Sequence, residues 1–238
     1  MFRTTLIMSW TALATVFFGM MAIAVSLLDR TGNAAHKVAG IWAGSILQVS
    51  GICANVRGMA NIDPKKTYIF MANHQSNFDI PVLMVYLPVQ FRWLAKAELF
   101  QIPLFGYAMK RVGYISIDRS DFRSAVKSLK KAAQTIRRGT SVVIFPEGTR
   151  SEDGRISGFK KGGFVMALEA GVPIVPIVIH GTRAIMPKNH LRIQPRNVSV
   201  EIKNPIETAG YSRKDKEALM ARVRKSIVES FERSAVKV

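Results

Sequence analysis

Cysteine and acidic residues are scarce in this chain of 238 residues. It contains one cysteine, Cys53, and 16 Asp and Glu against 34 Lys and Arg, which gives a formal net charge of +18. A single cysteine cannot form a disulfide within the chain, which suits a reducing compartment. The excess of positive charge indicates anionic partners: a nucleic acid, an acidic membrane surface or a phosphorylated substrate.

Motifs that define several common enzyme classes are also absent. The sequence has no G-x-S-x-G elbow of a serine hydrolase, no H-E-x-x-H or Cys/His cluster for zinc, and no Walker sequence. We therefore expect no metal, no bound cofactor and no acyl-enzyme. A general base without a nearby nucleophile would instead activate a hydroxyl group of the substrate itself.

Charge is missing altogether between Thr4 and Leu28, a run of 25 residues that exceeds the roughly 20 needed to cross a bilayer core. A softer apolar run over residues 38–56 contains Gly and Ala that allow close packing on the first. We predict a membrane-associated two-helix hairpin over residues 1–58, either spanning the bilayer or lying in one leaflet. The basic remainder of the chain then belongs on the cytoplasmic face of the membrane, which in a bacterium is the inner membrane.

The remaining part, residues 59–238, alternates short apolar runs with amphipathic ones. Candidate strands cover residues 67–71, 89–94, 112–117, 142–145, 172–179 and 198–202. This alternation predicts an α/β domain with a mixed, largely parallel sheet flanked by helices. Pro176 predicts an edge or irregular position for its strand, because proline lacks the N–H that a regular ladder uses.

The sequence from Asn73 to Asp79, N-H-Q-S-N-F-D, directly follows the first candidate strand. Open α/β sheets commonly place their chemistry just beyond the carboxyl ends of strands. If Asp79 begins a helix, its carboxylate can accept a hydrogen bond from one ring nitrogen of His74 and leave the other nitrogen as a general base. Taken alone, the same residues also fit an ordinary loop histidine and a helix cap.

Charged and small residues follow three further candidate strands. Lys96, Arg119 and Arg150 would together form a pocket for a dianionic phosphate, although each one alone also fits a solvated surface. Glu147 and Gly148 form either a simple tight turn or a loop at which substrate approaches the main chain while Glu147 orients Arg150 or a substrate hydroxyl. The apolar run 172–179 is either core or the wall of an acyl-chain groove.

Four ordered blocks resemble those of the glycerolipid acyltransferases. They are N-H-x4-D at 73–79, G-Y-I-S-I-D-R at 113–119, F-P-E-G-T-R-S at 145–151 and V-P-I-V-P-I at 172–177. The resemblance covers about residues 67–180, and the N-terminal apolar segment also fits the family. It implies transfer of an acyl chain from a thioester, acyl-coenzyme A (acyl-CoA) or acyl carrier protein (acyl-ACP), to the sn-2 hydroxyl of 1-acylglycerol-3-phosphate, giving phosphatidic acid.

The resemblance also implies roles for individual residues. His74 would deprotonate the acceptor hydroxyl, and Asp79 would orient and charge-stabilise its ring, without an acyl-enzyme. The substrate-binding residues would be Lys96, Arg119, Glu147, Gly148, Thr149 and Arg150, and those close to the acyl chain would be Val172, Pro173, Ile174, Val175 and Pro176.

Two alternatives stay open. The acceptor could be another lysolipid, because a phosphate pocket does not fix the rest of the head group. The chain could also be a non-catalytic basic module that binds an anionic membrane or nucleic acid, which would make His74 and Asp79 dispensable. We expect lysophosphatidic acid, acyl-CoA or acyl carrier protein, and an anionic membrane surface as partners, and no nucleic acid.

Overall fold

The computed structural model describes residues 1–118 and 122–235. Two long helices, α1 (Phe2–Leu28) and α2 (Asn33–Ser50), precede a seven-stranded sheet with helices on both faces. The elements that follow are β1 (Ala54–Arg57), β2 (Ile69–Ala72), α3 (Asp79–Tyr86), β3 (Phe91–Lys96), α4 (Phe105–Val112), β4 (Ile115–Ile117), α5 (Phe122–Arg137), β5 (Ser141–Ile144), α6 (Lys161–Ala170), β6 (Ile174–His180), α7 (Thr182–Ile185), β7 (Val198–Ile202) and α8 (Lys216–Ala235).

The strand order in the sheet is β1-β7-β6-β2-β5-β3-β4. The β6–β7 pair is antiparallel, and the other neighbouring pairs are parallel. Strands β2 and β5 are buried along their whole length, which explains their uninterrupted apolar sequences. The predicted α/β fold with a mixed, largely parallel sheet is confirmed.

The two faces of the sheet carry separate hydrophobic cores, because successive side chains of a strand point to opposite faces. Phe70 of β2 and Phe91 of β3 pack with buried residues of α2 and α3. Ile69 and Met71 of β2 point the other way and pack with residues of α5, α6 and α8. Helices α1 and α4 lie outside α2, on the same side of the sheet as Phe70.

The N-terminal helices pack against the sheet. Ala43, Ile46 and Leu47 of α2 belong to the same core cluster as the sheet residues. Strand β1 starts at Ala54, inside the apolar run expected to form the second membrane helix, and pairs with β7. Within the described part of the chain, α1 alone is long and apolar enough to cross a membrane.

Pro176 lies in an interior strand, because β6 is flanked by β2 and β7, so the expected edge position is wrong. The pairing around it is nevertheless irregular. Ile177 pairs with Ile202, whereas Ile174 bridges Ile206, so three steps along β6 (174 to 177) oppose four on the neighbouring chain (202 to 206). This one-residue bulge accommodates a residue that has no N–H to donate.

Candidate active site

His74 lies in the loop between β2 and α3, with its Nδ1 atom 2.8 Å from Oδ2 of Asp79. The same carboxylate oxygen accepts the main-chain N–H groups of Gln75 (2.7 Å) and Ser76 (2.9 Å), so the loop wraps around it. The Asp79 side chain is fully buried, and that of His74 is 14% exposed. Because the carboxylate accepts from Nδ1, that nitrogen carries the hydrogen and Nε2 is left as the basic atom.

Asn73 fixes the start of this loop. Its side-chain oxygen accepts the N–H of Ile179 (2.7 Å), and its side-chain nitrogen donates to the Ile179 carbonyl (2.9 Å). The amide therefore extends the β2–β6 pairing beyond the last residue of β2 at Ala72. Buried hydrogen bonds of this kind hold the residue that follows, His74, at a defined position.

Glu147 holds the main chain of His74 from the other side. One of its carboxylate oxygens accepts the N–H of His74 (2.8 Å), and the other accepts both the N–H (2.8 Å) and the hydroxyl (2.9 Å) of Ser157. The N–H of Ser151 donates to the carbonyl of His74 (2.9 Å). Burial raises the pKa of Glu147, and the bonds from Ser157 and His74 oppose this rise. Its predicted role towards Arg150 or substrate stays a prediction, since both of its oxygens already serve the loop.

An aromatic stack supports the imidazole ring. Phe145 lies parallel to His74, with ring centroids 3.9 Å apart and an angle of 7° between the planes. Trp93 of β3 stacks on the far side of Phe145, with centroids 5.4 Å apart. Sequence reasoning did not find this contact, and its one signal was the position of Phe145, directly after β5 and directly before the Pro-Glu-Gly turn.

A cavity of about 420 Å³ opens beside the imidazole. Its polar part contains His74, Lys96, Gly148, Thr149 and Arg150. Its apolar wall comes from the N-terminal helices, α4 and nearby strand residues, among them Phe18, Gly19, Ala22, Trp42, Leu94, Ala108, Met109 and Val112. A narrow apolar space with a polar mouth and a basic nitrogen suits an amphiphilic substrate that reacts at its polar end.

The structure therefore brings His74, Asp79, Lys96 and residues 147–150 to one edge of the sheet. His74 and Asp79 follow β2, Lys96 ends β3, and the loop after β5 supplies residues 147–150, as expected for the carboxyl ends of parallel strands. Arg119, which the sequence also predicts for the phosphate pocket, lies outside the described residues.

The structure differs from the expectation for Val172, Pro173, Ile174, Val175 and Pro176. Ile174 and Val175 are fully buried within the two cores, and none of the five is among the described residues that line the cavity. The reason is that β6 is an interior strand with helices over both faces. The apolar wall comes from α1, α2 and α4, whose sequences indicate membrane or amphipathic helices and give no signal of an active site.

This fold and this site are those of an acyltransferase. A family model described as Acyltransferase matches residues 53–180, more than half of the chain, and the chain belongs to that family. The resemblance of the four sequence blocks is thereby confirmed.

Relatives with named activities show which acyltransferases this chain is similar to. The human "1-acyl-sn-glycerol-3-phosphate acyltransferase alpha" is 33% identical over 217 residues, which cover 91% of this chain and 77% of the relative. The Arabidopsis thaliana chloroplast enzyme LPAT1, of the same printed activity, is 40% identical over 173 residues, which cover 72% of this chain. This chain spans about half the length of that relative and of its Brassica napus counterpart.

A solved structure matches nearly the whole chain. The crystal structure of the 1-acyl-sn-glycerophosphate acyltransferase PlsC from Thermotoga maritima superposes with a TM-score of 0.84 at 27% identity. The match covers 98% of this chain and 95% of the other. The N-terminal helices are thus part of the shared architecture, together with the sheet.

Proposed function

We propose that this protein transfers an acyl chain from an acyl thioester to the sn-2 hydroxyl of 1-acylglycerol-3-phosphate, which gives phosphatidic acid. The observation that carries the proposal is the buried His74–Asp79 pair at the polar mouth of an apolar cavity, next to Lys96 and Arg150. The activities printed in the names of the relatives point to the same acceptor. The acyl donor is acyl-CoA or acyl-ACP.

The proposed reaction is a direct transfer with His74 as general base. Its Nε2 removes the proton of the acceptor hydroxyl as the oxygen attacks the thioester carbonyl carbon. The carbon–sulfur bond of the tetrahedral intermediate then breaks, and the departing sulfur takes the proton from the imidazolium. The carboxylate of Asp79 stabilises the imidazolium in between. The products are an ester and a free thiol, and no acyl-enzyme forms.

The phosphate of the acceptor and the acyl chain are proposed to occupy different parts of the cavity. Lys96 and Arg150 are proposed to bind the phosphate, together with Arg119. Gly148 adopts a φ of 78°, which favours glycine, so this residue permits a tight turn at which Thr149 faces the substrate. The acyl chain is proposed to lie along the apolar wall formed by α1, α2 and α4, in place of the expected contact with residues 172–176.

Membrane association is proposed through α1. Its outward side exposes large apolar side chains, with Leu13 68%, Phe17 59% and Leu27 67% exposed. Residues of α2 are buried in the core of the domain, so α2 is not available to cross a bilayer. This burial supports an α1 that lies in one leaflet beside the domain, rather than a hairpin that crosses the membrane twice. The basic domain would then face the cytoplasm, at the inner membrane in a bacterium.

The deciding experiment measures thiol release from acyl-CoA and from acyl-ACP by the detergent-solubilised protein, with and without lysophosphatidic acid. Release that requires the acceptor and is lost in His74→Ala supports direct transfer. Release without acceptor identifies a thioesterase and contradicts the proposal. A panel of other lysolipids tests the alternative acceptors. Binding to anionic vesicles without any turnover would favour the non-catalytic module.

A further inference from the structure

Helix α5 presents a stripe of positive charge to solvent. Residues 122–138 contain six basic residues and no Asp or Glu. All six are exposed: Arg123, Lys127, Lys130, Lys131, Arg137 and Arg138. At 100° per residue they fall on one side of the helix, whereas Ala132, Ala133 and Ile136 are fully buried on the other. The stripe therefore points away from the sheet.

A stripe of this kind lowers the stability of the isolated helix. Lys127 and Lys131 are four residues apart, and like charges at this spacing repel each other by a few tenths of a kcal/mol (about 0.2–0.5) per pair. The proposed chemistry makes no use of these side chains, and none of Lys127, Lys130 and Lys131 lines the cavity described above. An anionic surface placed against them would offset the repulsion.

The position of α5 argues against a membrane as that anionic surface. The outward face of α1 lies on the side of the sheet that holds Phe70, whereas α5 packs on the side that holds Ile69. A planar bilayer in contact with α1 would therefore leave the stripe facing the water. The structure thus separates an apolar face, suited to lipid, from a basic face suited to a soluble partner.

The stripe starts at the edge of the sheet where the cavity opens. Ile117, the last residue of β4, is paired with Lys96, which lines the cavity mouth. Helix α5 begins at Phe122, five positions further along the chain, and its 16 residues extend for about 24 Å. A partner that lies along the stripe would consequently have one end close to the site of reaction.

We propose that the basic stripe of α5 docks an acidic carrier protein that presents the acyl thioester to His74. This inference rests on the proposed function, because it selects the macromolecular donor from the two that the site would accept. Six cations spread over about 24 Å match the surface of an acidic protein. The phosphates of a coenzyme A molecule are clustered at one end and would engage only a part of the stripe.

The test uses the full chain in detergent and two matched double variants. Lys130→Glu/Lys131→Glu reverses charge on the stripe. Lys65→Glu/Lys66→Glu makes the same change on exposed residues of the turn before β2, at the opposite edge of the sheet. The donors are palmitoyl-CoA and the palmitoyl thioester of an acidic acyl carrier protein. Binding of the fluorescently labelled carrier is measured in parallel by anisotropy, at two salt concentrations.

We expect the stripe variant to raise the KM for the palmitoyl-carrier by about tenfold and to weaken carrier binding by a similar factor, more so at low salt. The KM for palmitoyl-CoA should stay within about twofold of the wild type. The Lys65/Lys66 variant should behave as the wild type with both donors.

Three results would overturn the proposal. The first is an equal KM for the palmitoyl-carrier in the two variants. The second is an equal loss with both donors, which would indicate a general effect on the site. The third is a loss of binding to anionic vesicles in the stripe variant while carrier binding is unchanged. If the wild type turns over neither donor, the proposed function fails. The binding measurement still tests the docking surface on its own: weaker carrier binding in Lys130→Glu/Lys131→Glu supports it, and unchanged carrier binding contradicts it.

Discussion

Three independent contacts hold His74, the proposed general base: Asp79 at Nδ1, Phe145 on the ring face and Glu147 at the main-chain N–H. Such a residue spends little of its time in unproductive rotamers, so the entropy of positioning is lost on folding rather than during each turnover. The three contacts make different contributions, and substitutions should separate them.

Asp79→Asn should lower kcat by about a thousandfold, since an amide cannot stabilise the imidazolium and presents donors to the N–H groups of Gln75 and Ser76. The KM for lysophosphatidic acid should change little, because the residues proposed to bind its phosphate are untouched. Steady-state kinetics with either donor measure both constants. A kcat within tenfold of the wild type would remove Asp79 from the mechanism.

Phe145→Leu should lower kcat by about tenfold with little change in the acceptor KM, because it removes the stack that fixes the ring plane of His74. Phe231→Leu is the matched control. Phe231 stacks on His180 at 5.4 Å, away from the cavity, and its loss should leave kcat unchanged. Equal effects of the two substitutions would show that the Phe145 contact is merely structural.

Glu147→Gln should destabilise the fold by about 1–3 kcal/mol, because an amide nitrogen would face a main-chain N–H that now meets a carboxylate oxygen. The effect should also depend on pH. Burial raises the pKa of Glu147 in the folded protein above its ordinary 4.5, so the folded state retains this proton longer than the unfolded chain. The contribution of this group to stability is therefore fully present below about pH 4.5 and falls as pH rises through the raised pKa.

Urea unfolding of the wild type and Glu147→Gln at several pH values between 4 and 8 measures this difference. We expect the destabilisation by Gln to be largest at the acid end and to shrink as pH rises. A difference that grows with pH instead would mean that hydrogen bonds to the carboxylate outweigh its burial.

At the scale of elements, α1 and α4 determine how much apolar space the cavity has. Ala22 lines the cavity and is 3% exposed, whereas Ala24, on the same helix, is exposed. Ala22→Leu should shift donor preference towards shorter acyl chains, by a free energy of about 0.8 kcal/mol per methylene displaced. Ala24→Leu is the matched control and should leave the preference unchanged. The measurement is kcat/KM across donors of increasing length, and an unchanged profile in Ala22→Leu would place the chain elsewhere.

The alternation of elements, most strand positions and the convergence of His74, Lys96 and Arg150 could be predicted from sequence, because apolar period and strand ends are local signals. β1 could not, since Ala54–Arg57 continues the apolar run of α2 without a charged break. The role of residues 172–176 was equally hidden: an apolar strand of the core and an apolar substrate wall have the same composition. The two are distinguished only by the position of the strand within the sheet, which depends on contacts between residues far apart in the sequence.

At the scale of the whole molecule, the exposed side of α1 should govern membrane binding. Leu13→Lys/Phe17→Lys should lower the partition coefficient into lipid vesicles, measured by co-sedimentation, by about a hundredfold or more, because each exposed side chain would lose about 1.5–3 kcal/mol of transfer into hydrocarbon. Leu191→Lys, an exposed leucine outside α1, is the control and should bind as the wild type does. Unchanged sedimentation of the α1 variant would indicate another attachment surface.

The shared wall between α1, α2 and the cavity has a practical consequence for preparing the enzyme. A water-soluble catalytic fragment is usually sought by deleting an N-terminal anchor. Here such a deletion would strip Phe18, Ala22 and Trp42 from the cavity and uncover the core cluster that contains Ile46 and Leu47. The proposed anchor cannot be removed without opening the cavity beside His74, so solubility has to be engineered on the outer surface of α1.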